Sequence, residues 1–316
     1  MTWHRRMILA LLAIAPVGAA SGADVFRFYA PPGGVYANAS LEREAVVEVE
    51  IAIEHEGTEV AQWFVTVSRG ASSVYEPRTM AFGSHTLAYQ VYGEHPPAGS
   101  VIKEPPDALT WDNVVTSGAF GAPASTPQVS FVSFFVHIPA GQFVAAGEYT
   151  DSVTLSLYTG DPAEPATHAL ADSVAVAITG RMARILDLYA VREPGIRTMD
   201  LTTTVADRLI ATVNERSNSA TGYTVLLTSR NLAADLSGEP TPFFLHSAGA
   251  ARLSYVLTYA GVAVSGWSGG SAVLTDSDGI TAPGWASREL RIGFTGSATL
   301  AAGSYEDILT ITIRAK

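Results

Sequence analysis

Hydrophobic and polar residues alternate along much of the chain. The alternation is strict in Val46–Glu54 and Ser173–Ile178, and the runs Trp63–Ser68, Thr86–Tyr92 and Phe131–Ile138 are rich in β-branched and aromatic residues. A period of two is typical of strands that turn one face toward a core, and the Pro and Gly clusters between these runs are typical of turns. The pattern predicts an all-β protein built as an antiparallel sandwich with loops at both ends.

The order of these runs recurs in the second half of the chain. Trp63–Gly70 is answered by Tyr223–Asn231, and Leu87–Glu94 is answered by Leu253–Gly261. A third pair closes each series, because "AAGEYTDSVTLSLY" in mid-chain returns near-verbatim as "AAGSYEDILTITIRAK". Three pairs in the same order indicate a duplicated unit. We therefore expect a first β-sandwich domain over 24–180 and a second over 181–316.

The repeated phrase predicts a tight corner before a strand. Gly147 and Gly303 can adopt backbone φ and ψ angles that are unfavourable for other residues. Tyr149 and Tyr305 then stand where a sandwich often places a tyrosine whose hydroxyl bonds back across the corner. Asp151 and Asp307 follow in the inward phase, and we expect them to cap loop backbone N–H groups. The next inward residues are Val153, Leu155 and Leu157 in the first copy and Leu309, Ile311 and Ile313 in the second.

The two copies of the phrase lead into different segments. After the first, the loop Thr159–Ala171 leads to the strand Ser173–Ile178, which we expect to pair beside Val153–Leu157 and close its sheet. After Ile313 the sequence continues only with Arg314, Ala315 and Lys316. We expect the second sandwich to lack its final strand, leaving an open edge and an apolar acceptor groove over Leu309, Ile311 and Ile313.

A long connection, Gly93–Gln128, carries an apolar set in the first domain. Long loops in compact domains are usually functional or disordered, and exposed apolar clusters usually mark contact surfaces. One interpretation is an adhesion loop at the far end of the domain; the alternative is that these side chains pack locally and plug the sandwich. The set comprises Val101, Ile102, Leu109, Trp111, Val114, Val115 and Phe120.

The N-terminus indicates export. Arg5 and Arg6 precede the apolar run Met7–Ala19, and small residues follow to Ala23, so residues 1–23 are interpreted as a signal peptide, with an uncleaved anchor as the alternative. Without cysteine, the domains must be held by packing alone. A net charge of -11 without a basic run gives nucleic-acid binding no support.

Two short motifs resemble enzyme or metal sites. Gly266–Gly270 fits G-x-S-x-G with Ser268 in the nucleophile position, which has meaning only on a strand–turn–helix elbow. Thr275–Gly279 resembles the start of a calcium loop but lacks the closing glutamate. Both are interpreted as turns, and we expect no enzyme activity, cofactor or metal.

Phe64–Tyr92 and Phe134–Tyr158 resemble the spore coat protein U family. The matching features are a Ser-x-Gly after a strand, Pro-Arg-x-Met at Pro77–Met80, Leu-x-Tyr-x-x-Tyr at Leu87–Tyr92, and the run from Ile138 to Asp151. This resemblance implies immunoglobulin-like, pilin-type sandwiches that serve as subunits of archaic (Csu-type) chaperone–usher pili. It also implies that a periplasmic chaperone, and then an adjacent pilin subunit, supplies the missing strand.

A closed first domain before an open second domain suits the tip of a fibre. The resemblance therefore implies a tip adhesin that passes through the periplasm and an outer-membrane usher to the cell surface. There it would attach to an abiotic or host surface and support biofilm formation. The alternative is a non-adhesive secreted coat or matrix structural protein of the same family.

Overall fold

A computed structural model describes residues 25–57, 61–96, 98–118, 120, 124–196, 198–235 and 240–316. The predicted all-β class is confirmed, since these residues form twenty strands and one short α-helix. Within the described ranges, no helix has the length and apolar character needed to cross a membrane. The predicted signal peptide, residues 1–23, lies outside the described residues.

The strands fall into two groups that do not pair with each other among the described residues. We call β1–β9 the first unit and β10–β20 the second unit. The first comprises β1 Val25–Ala30, β2 Val35–Ala39, β3 Ala45–Gly57, β4 Trp63–Val67, β5 Arg78–Phe82, β6 His85–Tyr92, β7 Ala124–Ile138, β8 Gly147–Thr159 and β9 Ala169–Met182. The second comprises β10 Leu186–Arg192, β11 Val205–Ser217, β12 Tyr223–Ser229, α1 Arg230–Ala234, β13 Phe243–His246, β14 Arg252–Ser254, β15 Val256–Tyr259, β16 Val262–Ala263, β17 Ser271–Ser277, β18 Ala286–Phe294, β19 Tyr305–Glu306 and β20 Leu309–Ala315.

The first unit is one continuous series of strands folded over one large core, with a smaller buried cluster of Phe64, Leu109 and Val114 beside it. The order is β1-β3-β7-β6-β5-β8-β9-β2, with β4 also paired to β8. Inward residues from β3, such as Ile51, and from β8, such as Leu155, belong to the same buried cluster. Period-two alternation therefore produces the sandwich that it predicts.

The second unit repeats this plan with shorter strands. Its sheets have the orders β10-β11-β18-β15-β16, β17-β12-β20 and β14-β13-β19. The buried cluster draws on β11 through Val213, on β12 through Leu227 and on β18 through Ile292. Leu309 and Ile311 of β20 pack against this cluster but are only partly buried.

A short connection joins the units at a hydrogen-bonded junction around Asn218. β9 ends at Met182 and β10 begins at Leu186. The buried Asn218 side chain donates from Nδ2 to the carbonyls of Val144 (3.1 Å) and Ala183 (2.9 Å). Its Oδ1 accepts from the Ile185 N–H at 2.7 Å. A side chain of the second unit is thus bonded both to the connection and to the end of the first unit.

Candidate functional site: the unpaired edge of strand β20

In the first unit, strand β8 has partners on both of its edges. On one side it pairs with β4, where Val65 is opposite Leu157. On the other side it pairs with β9 over its whole length, with Val176 opposite Val153, and β2 continues the sheet beyond β9. The predicted pairing of Ser173–Ile178 beside Val153–Leu157 is therefore present.

In the second unit, strand β20 has a partner on one edge only. It pairs with β12 in the register of its counterpart, with Val225 opposite Ile313 and Leu227 opposite Ile311. Within the described ranges, no strand pairs with its other edge. Strand β10 lies close to β20 but is hydrogen-bonded to β11. The structure thus contains the predicted open edge.

Burial separates the two copies most clearly. Val153, Leu155 and Leu157 of β8 are each 0% exposed. Leu309, Ile311 and Ile313 occupy the same positions on β20 and are all only half-buried. An apolar row with its backbone edge unpaired is a template for strand addition, because it offers both backbone hydrogen-bonding groups and a hydrophobic surface.

The predicted corner is present in both copies and is tighter in the first. The Tyr149 hydroxyl donates to the Ala145 carbonyl at 2.7 Å, and burial raises the pKa of Tyr149 to about 12. The Tyr305 hydroxyl donates to the Ala301 carbonyl at 3.2 Å on an exposed surface. Both bonds span four residues, as expected of a tyrosine corner.

An aromatic ring lies close to each glycine of the corner. A Cβ at Gly147 would lie 2.7 Å from Cε1 of Phe82, and one at Gly303 would lie 2.2 Å from Nε2 of His246. Both glycines have positive φ angles, 159° and 148° respectively. The close approach of a ring therefore adds to the backbone reason for glycine.

Asp151 caps a loop and holds a buried tyrosine. Its Oδ1 accepts from the backbone N–H groups of Ala71 (2.9 Å) and Ser152 (2.7 Å). Its Oδ2 accepts from the Tyr89 hydroxyl at 2.6 Å. Burial, and then the Asp151 carboxylate, raise the pKa of Tyr89, so Tyr89 acts as a donor.

Asp307 makes the same set of contacts in the second unit. It accepts from the N–H groups of Asn231 (3.1 Å) and Ile308 (2.7 Å). It also accepts from the hydroxyls of Ser229 (2.6 Å) and Tyr255 (2.5 Å). Burial, and then Asp307, raise the pKa of Tyr255. Asp151 caps a loop N–H as expected, whereas Asp307 caps the N–H of Asn231 in helix α1. The Asp–Tyr pair is a second feature that the duplicated units share.

The predicted adhesion loop is mostly inside the first unit. Val101 and Trp111 are partly exposed. The connection folds back onto β4, where Val65 and Val115 exchange backbone hydrogen bonds of 2.8 and 2.9 Å. The ring of Phe120 packs 5.3 Å from that of Trp63. The alternative of local packing therefore holds for five of the seven residues, which are buried: Ile102, Leu109, Val114, Val115 and Phe120.

Arg78 organises this loop, a role that the sequence interpretation missed. Its guanidinium is buried and donates to Gln90 Oε1 (2.7 Å) and to the carbonyls of Val67 (3.0 Å) and Ile102 (2.7 Å). It also lies over the Tyr75 ring at 4.8 Å. Burial lowers the pKa of Arg78. The sequence offered one sign of this role, which is the position of Arg78 in the Pro-Arg-x-Met motif. The role itself follows from burial, because a buried arginine needs several fixed hydrogen-bond acceptors.

The expected turn at Gly266–Gly270 is present, but the one at Thr275–Gly279 is not, because Thr275–Ser277 belong to strand β17. Ser268 and Ser271 close a tight turn by mutual backbone bonds, and strand β17 comes directly after it, where a nucleophile elbow needs a helix. Asp276 and Asp278 each lie 2.6 Å from Nζ of Lys316. Among the described residues, no group of three His, Cys, Asp or Glu side chains could hold a metal ion.

Comparison with known proteins gives a family match in the first unit. Residues 42–156 match the Spore Coat Protein U domain. The resemblance drawn from Phe64–Tyr92 and Phe134–Tyr158 is thus confirmed over that region. The match runs from just before β3 to within β8, so it includes Arg78 and the Asp151 cap. No curated protein sequence gives a significant match to the chain.

Several solved structures align with most of the chain at low similarity. The CsuC–CsuE chaperone–tip adhesion subunit complex of Acinetobacter baumannii aligns at 11% identity and a TM-score of 0.39, covering 92% of this chain and 99% of that one. The CupB6 tip adhesin of Pseudomonas aeruginosa aligns at 12% identity and 0.40, covering 92% and 94%. The CfaE adhesin of enterotoxigenic E. coli aligns at 10% and 0.38, covering 91% and 93%. Similarity this low does not assign a function.

Proposed function

We propose that the chain is the tip subunit of an archaic chaperone–usher pilus and that it accepts a strand from another chain at the edge of β20. The single observation that carries this proposal is the contrast between β8, which is paired on both edges, and β20, which is paired only with β12. The Spore Coat Protein U match over residues 42–156 supports the same assignment. The proposed role is structural, without catalysis or cofactor.

The energetics favour such an acceptor. An added strand would cover the half-buried side chains of Leu309, Ile311 and Ile313 and bury its own inward residues. Burial of four or five apolar side chains contributes on the order of 8 kcal/mol before backbone bonding. That is comparable to the whole stability of an ordinary domain, about 5–15 kcal/mol, so an added strand would contribute a large part of the stability of the second unit.

The proposed partners are those that such a subunit meets on its way to the surface. A periplasmic chaperone would occupy the β20 edge first, an outer-membrane usher would receive the complex, and the adjacent pilin subunit would then replace the chaperone strand. In the first unit the corresponding position is already filled by β9. The first unit therefore needs no donor, which suits the outermost position of a fibre at the cell surface.

Hydrogen exchange of the isolated full chain tests strand acceptance. Amides of β20 should exchange at least a hundredfold faster than those of β8, because strand edges and half-buried strands open at low cost. The two segments lie in the same molecule, so β8 is the internal control. Equal protection of β8 and β20 in a stable, monomeric chain without an added strand would overturn the proposal.

We further propose that the far end of the first unit contacts an abiotic or host surface during attachment and biofilm formation. Within the predicted loop, Val101 and Trp111 are the members that reach solvent. Trp111→Asp should abolish attachment while fibres still assemble. Val262→Asp, at a 69% exposed position of the second unit, is the matched control and should leave attachment unchanged. Unchanged attachment by Trp111→Asp would favour the non-adhesive coat or matrix role.

A further inference from the structure

The outer face of the first unit carries a row of polar residues beside the connection to the second unit. Strand β9 lies between β2, which runs parallel to it, and β8, which runs antiparallel to it. Arg181 on β9 pairs with Asn38 on β2 and with Glu148 on β8. Residues paired across neighbouring strands point to the same face of a sheet, and all three of these residues are exposed. They therefore form one row across three strands.

An exposed tyrosine adjoins this row. Tyr36 precedes Asn38 by two residues on β2, so period-two alternation puts it on the same face, and it is 72% exposed. Its Cε2 and Oη atoms lie 3.4 and 3.7 Å from where a Cβ on Gly34 would be, and the carbonyl oxygen of Ala177 lies 3.8 Å from the same point. Because Gly34 and Ala177 are small, the ring rests over them along the sheet and keeps most of its surface in solvent.

A groove beside the row carries unpaired positive charge. Its volume is about 540 Å³, within the range of about 300–1,000 Å³ that is usual for ligand sites, and its lining includes Asn38, Glu148, Arg181 and Arg184. Neither Arg181 nor Arg184 forms an ion pair within the part of the chain that the structure describes. Two guanidinium groups against one carboxylate leave the groove positive in a chain whose net charge is -11. Such a groove attracts an anionic group.

The neighbouring side chains select among anions. A guanidinium can bind a carboxylate through two parallel hydrogen bonds. Beside Arg181, the Asn38 amide can donate to hydroxyl groups or accept from them, and the Glu148 carboxylate can accept from them. Glu148 also repels an anion that has no hydroxyl groups to offer. The negative face of the Tyr36 ring attracts the C–H groups of a sugar ring. A carboxylate, hydroxyl groups and an apolar ring face occur together in uronic acid sugars.

We propose that this face of the first unit binds an acidic polysaccharide built from uronic acid sugars. A sugar carboxylate binds at Arg181 and Arg184. Its hydroxyl groups bind at Asn38 and Glu148, and a neighbouring sugar ring lies on Tyr36. Tyr36 and Asn38 are about 7 Å apart along β2, so one short oligosaccharide reaches both. The inference goes beyond the proposed function, because it involves neither the edge of β20 nor the predicted adhesion loop.

Calorimetric titration of the full chain tests the class of ligand. Oligomers of galacturonate, guluronate and glucuronate are the probes, and at least one of them should bind saturably. Oligomers of the matching neutral sugars should bind roughly tenfold more weakly, because they lack the carboxylate. Polyglutamate of the same length should also bind roughly tenfold more weakly, because it has carboxylates but neither hydroxyl groups nor a sugar ring. Equal binding of either control, or no binding of any uronate oligomer, would overturn the inference.

Substitutions at exposed positions locate the site. Arg181→Gln and Tyr36→Ala should each weaken binding of the uronate oligomer roughly tenfold, the first by loss of a charged hydrogen-bond donor and the second by loss of the ring surface. Arg192→Gln is the matched control and should leave the affinity unchanged, since Arg192 is an exposed arginine of β10 without an ion pair among the described residues. Equal weakening by Arg192→Gln would show that only net charge matters and would contradict the proposal. Unchanged affinity after Arg181→Gln or Tyr36→Ala would contradict it as well.

Failure of this inference is separable from failure of the proposed function. Sugar binding is measured by calorimetry, whereas strand acceptance is measured by hydrogen exchange of β20. In each variant, undiminished protection of β8 against exchange shows that the first unit is folded, so that lost binding is assigned to the site. Sugar binding by a chain whose β20 is as protected as β8 would uphold the site and remove only strand acceptance.

Discussion

Strand β8 and the segment that includes β19 and β20 have the same repeated phrase, the same tyrosine corner and the same aspartate cap, yet β8 is an interior strand and β20 an edge strand. The local bonds are present in both copies, from the Tyr149 and Tyr305 corners to the Asp151 and Asp307 caps. The difference lies in the lateral neighbour, since β9 covers one edge of β8. Local sequence thus determines the shape of the corner, whereas a neighbouring strand determines how deeply it is buried.

The comparison also shows which contacts of each repeated phrase are independent of a strand beside it. In both units the aspartate of the repeated phrase accepts from a backbone N–H just after β4 or β12 and from a buried tyrosine hydroxyl. These bonds do not involve the free edge of β20. The proposed acceptor edge would therefore need little reordering if a strand were added beside β20.

Truncation of equivalent core residues should give the largest difference between the copies. Leu155→Ala removes a fully buried side chain and should cost about 2–5 kcal/mol in the free energy of unfolding. Ile311→Ala removes a half-buried one and should cost about 1 kcal/mol in the isolated chain. Urea unfolding followed by segment-resolved hydrogen exchange measures both.

The same two substitutions can be compared in a chain that carries an added strand. When a second copy of residues 160–182, which contain β9, is appended after Lys316, the cost of Ile311→Ala in the free energy of unfolding should rise toward that of Leu155→Ala. Leu155→Ala should be unaffected by the appended strand. A cost for Ile311→Ala that is already equal to that of Leu155→Ala in the unmodified chain would remove the distinction between the copies.

Replacement of the capping aspartates should give an intermediate effect. Asp151→Asn and Asp307→Asn keep the shape but place an amide where two N–H donors and a tyrosine hydroxyl require acceptors. Each should cost about 1–3 kcal/mol, with the larger value at the buried Asp151. Thr154→Asn, at an exposed position on β8, is the control and should be close to neutral. Equal costs at both aspartates would show that burial by β9 does not strengthen the cap.

Much of this architecture was accessible from the sequence because alternation and repetition report strands directly. The predicted pairing of Ser173–Ile178 with Val153–Leu157 arises from a period-two pattern, and the open edge beside Ile311 was expected from the difference between the segments that follow the two copies of the phrase. The residue bounds 24–180 and 181–316 stay a prediction, although the strand groups change between Met182 and Leu186. The run Leu253–Gly261 is divided into β14 and β15, because the chain passes there from the β13 sheet to the β18 sheet.

The positions that sequence could not assign depend on long-range packing. Composition cannot distinguish an apolar loop that faces solvent from one that folds back on a strand, and the bridge between Val65 and Val115 decides the matter for Gly93–Gln128. The role of Arg78 depends on carbonyls from β4 and from Ile102, which are brought together only by the fold. The need for a small residue at Gly180 depends on the side chains of Met80, Leu87 and Ile138, which come from other strands and would contact an added Cβ.

Removal of the corner hydroxyls should give the smallest change in the free energy of unfolding, and it tests whether the two tyrosine corners differ. Tyr149→Phe loses a buried hydrogen bond and should cost about 1 kcal/mol in the free energy of unfolding, whereas Tyr305→Phe loses an exposed one and should cost a few tenths of a kcal/mol.

Stability at alkaline pH provides an independent measurement of the Tyr149 hydroxyl. The pKa of Tyr149 is raised by burial to about 12 in the folded chain, above its ordinary value of 10.0. Its contribution is therefore fully present below pH 10 and is lost as the pH rises toward 12. Tyr149→Phe should make the stability of the first unit fall less steeply over that range, as followed by urea midpoints at successive pH values. An unchanged slope would show that the buried corner hydroxyl does not titrate with unfolding, and the contrast between the two corners would then be geometric only.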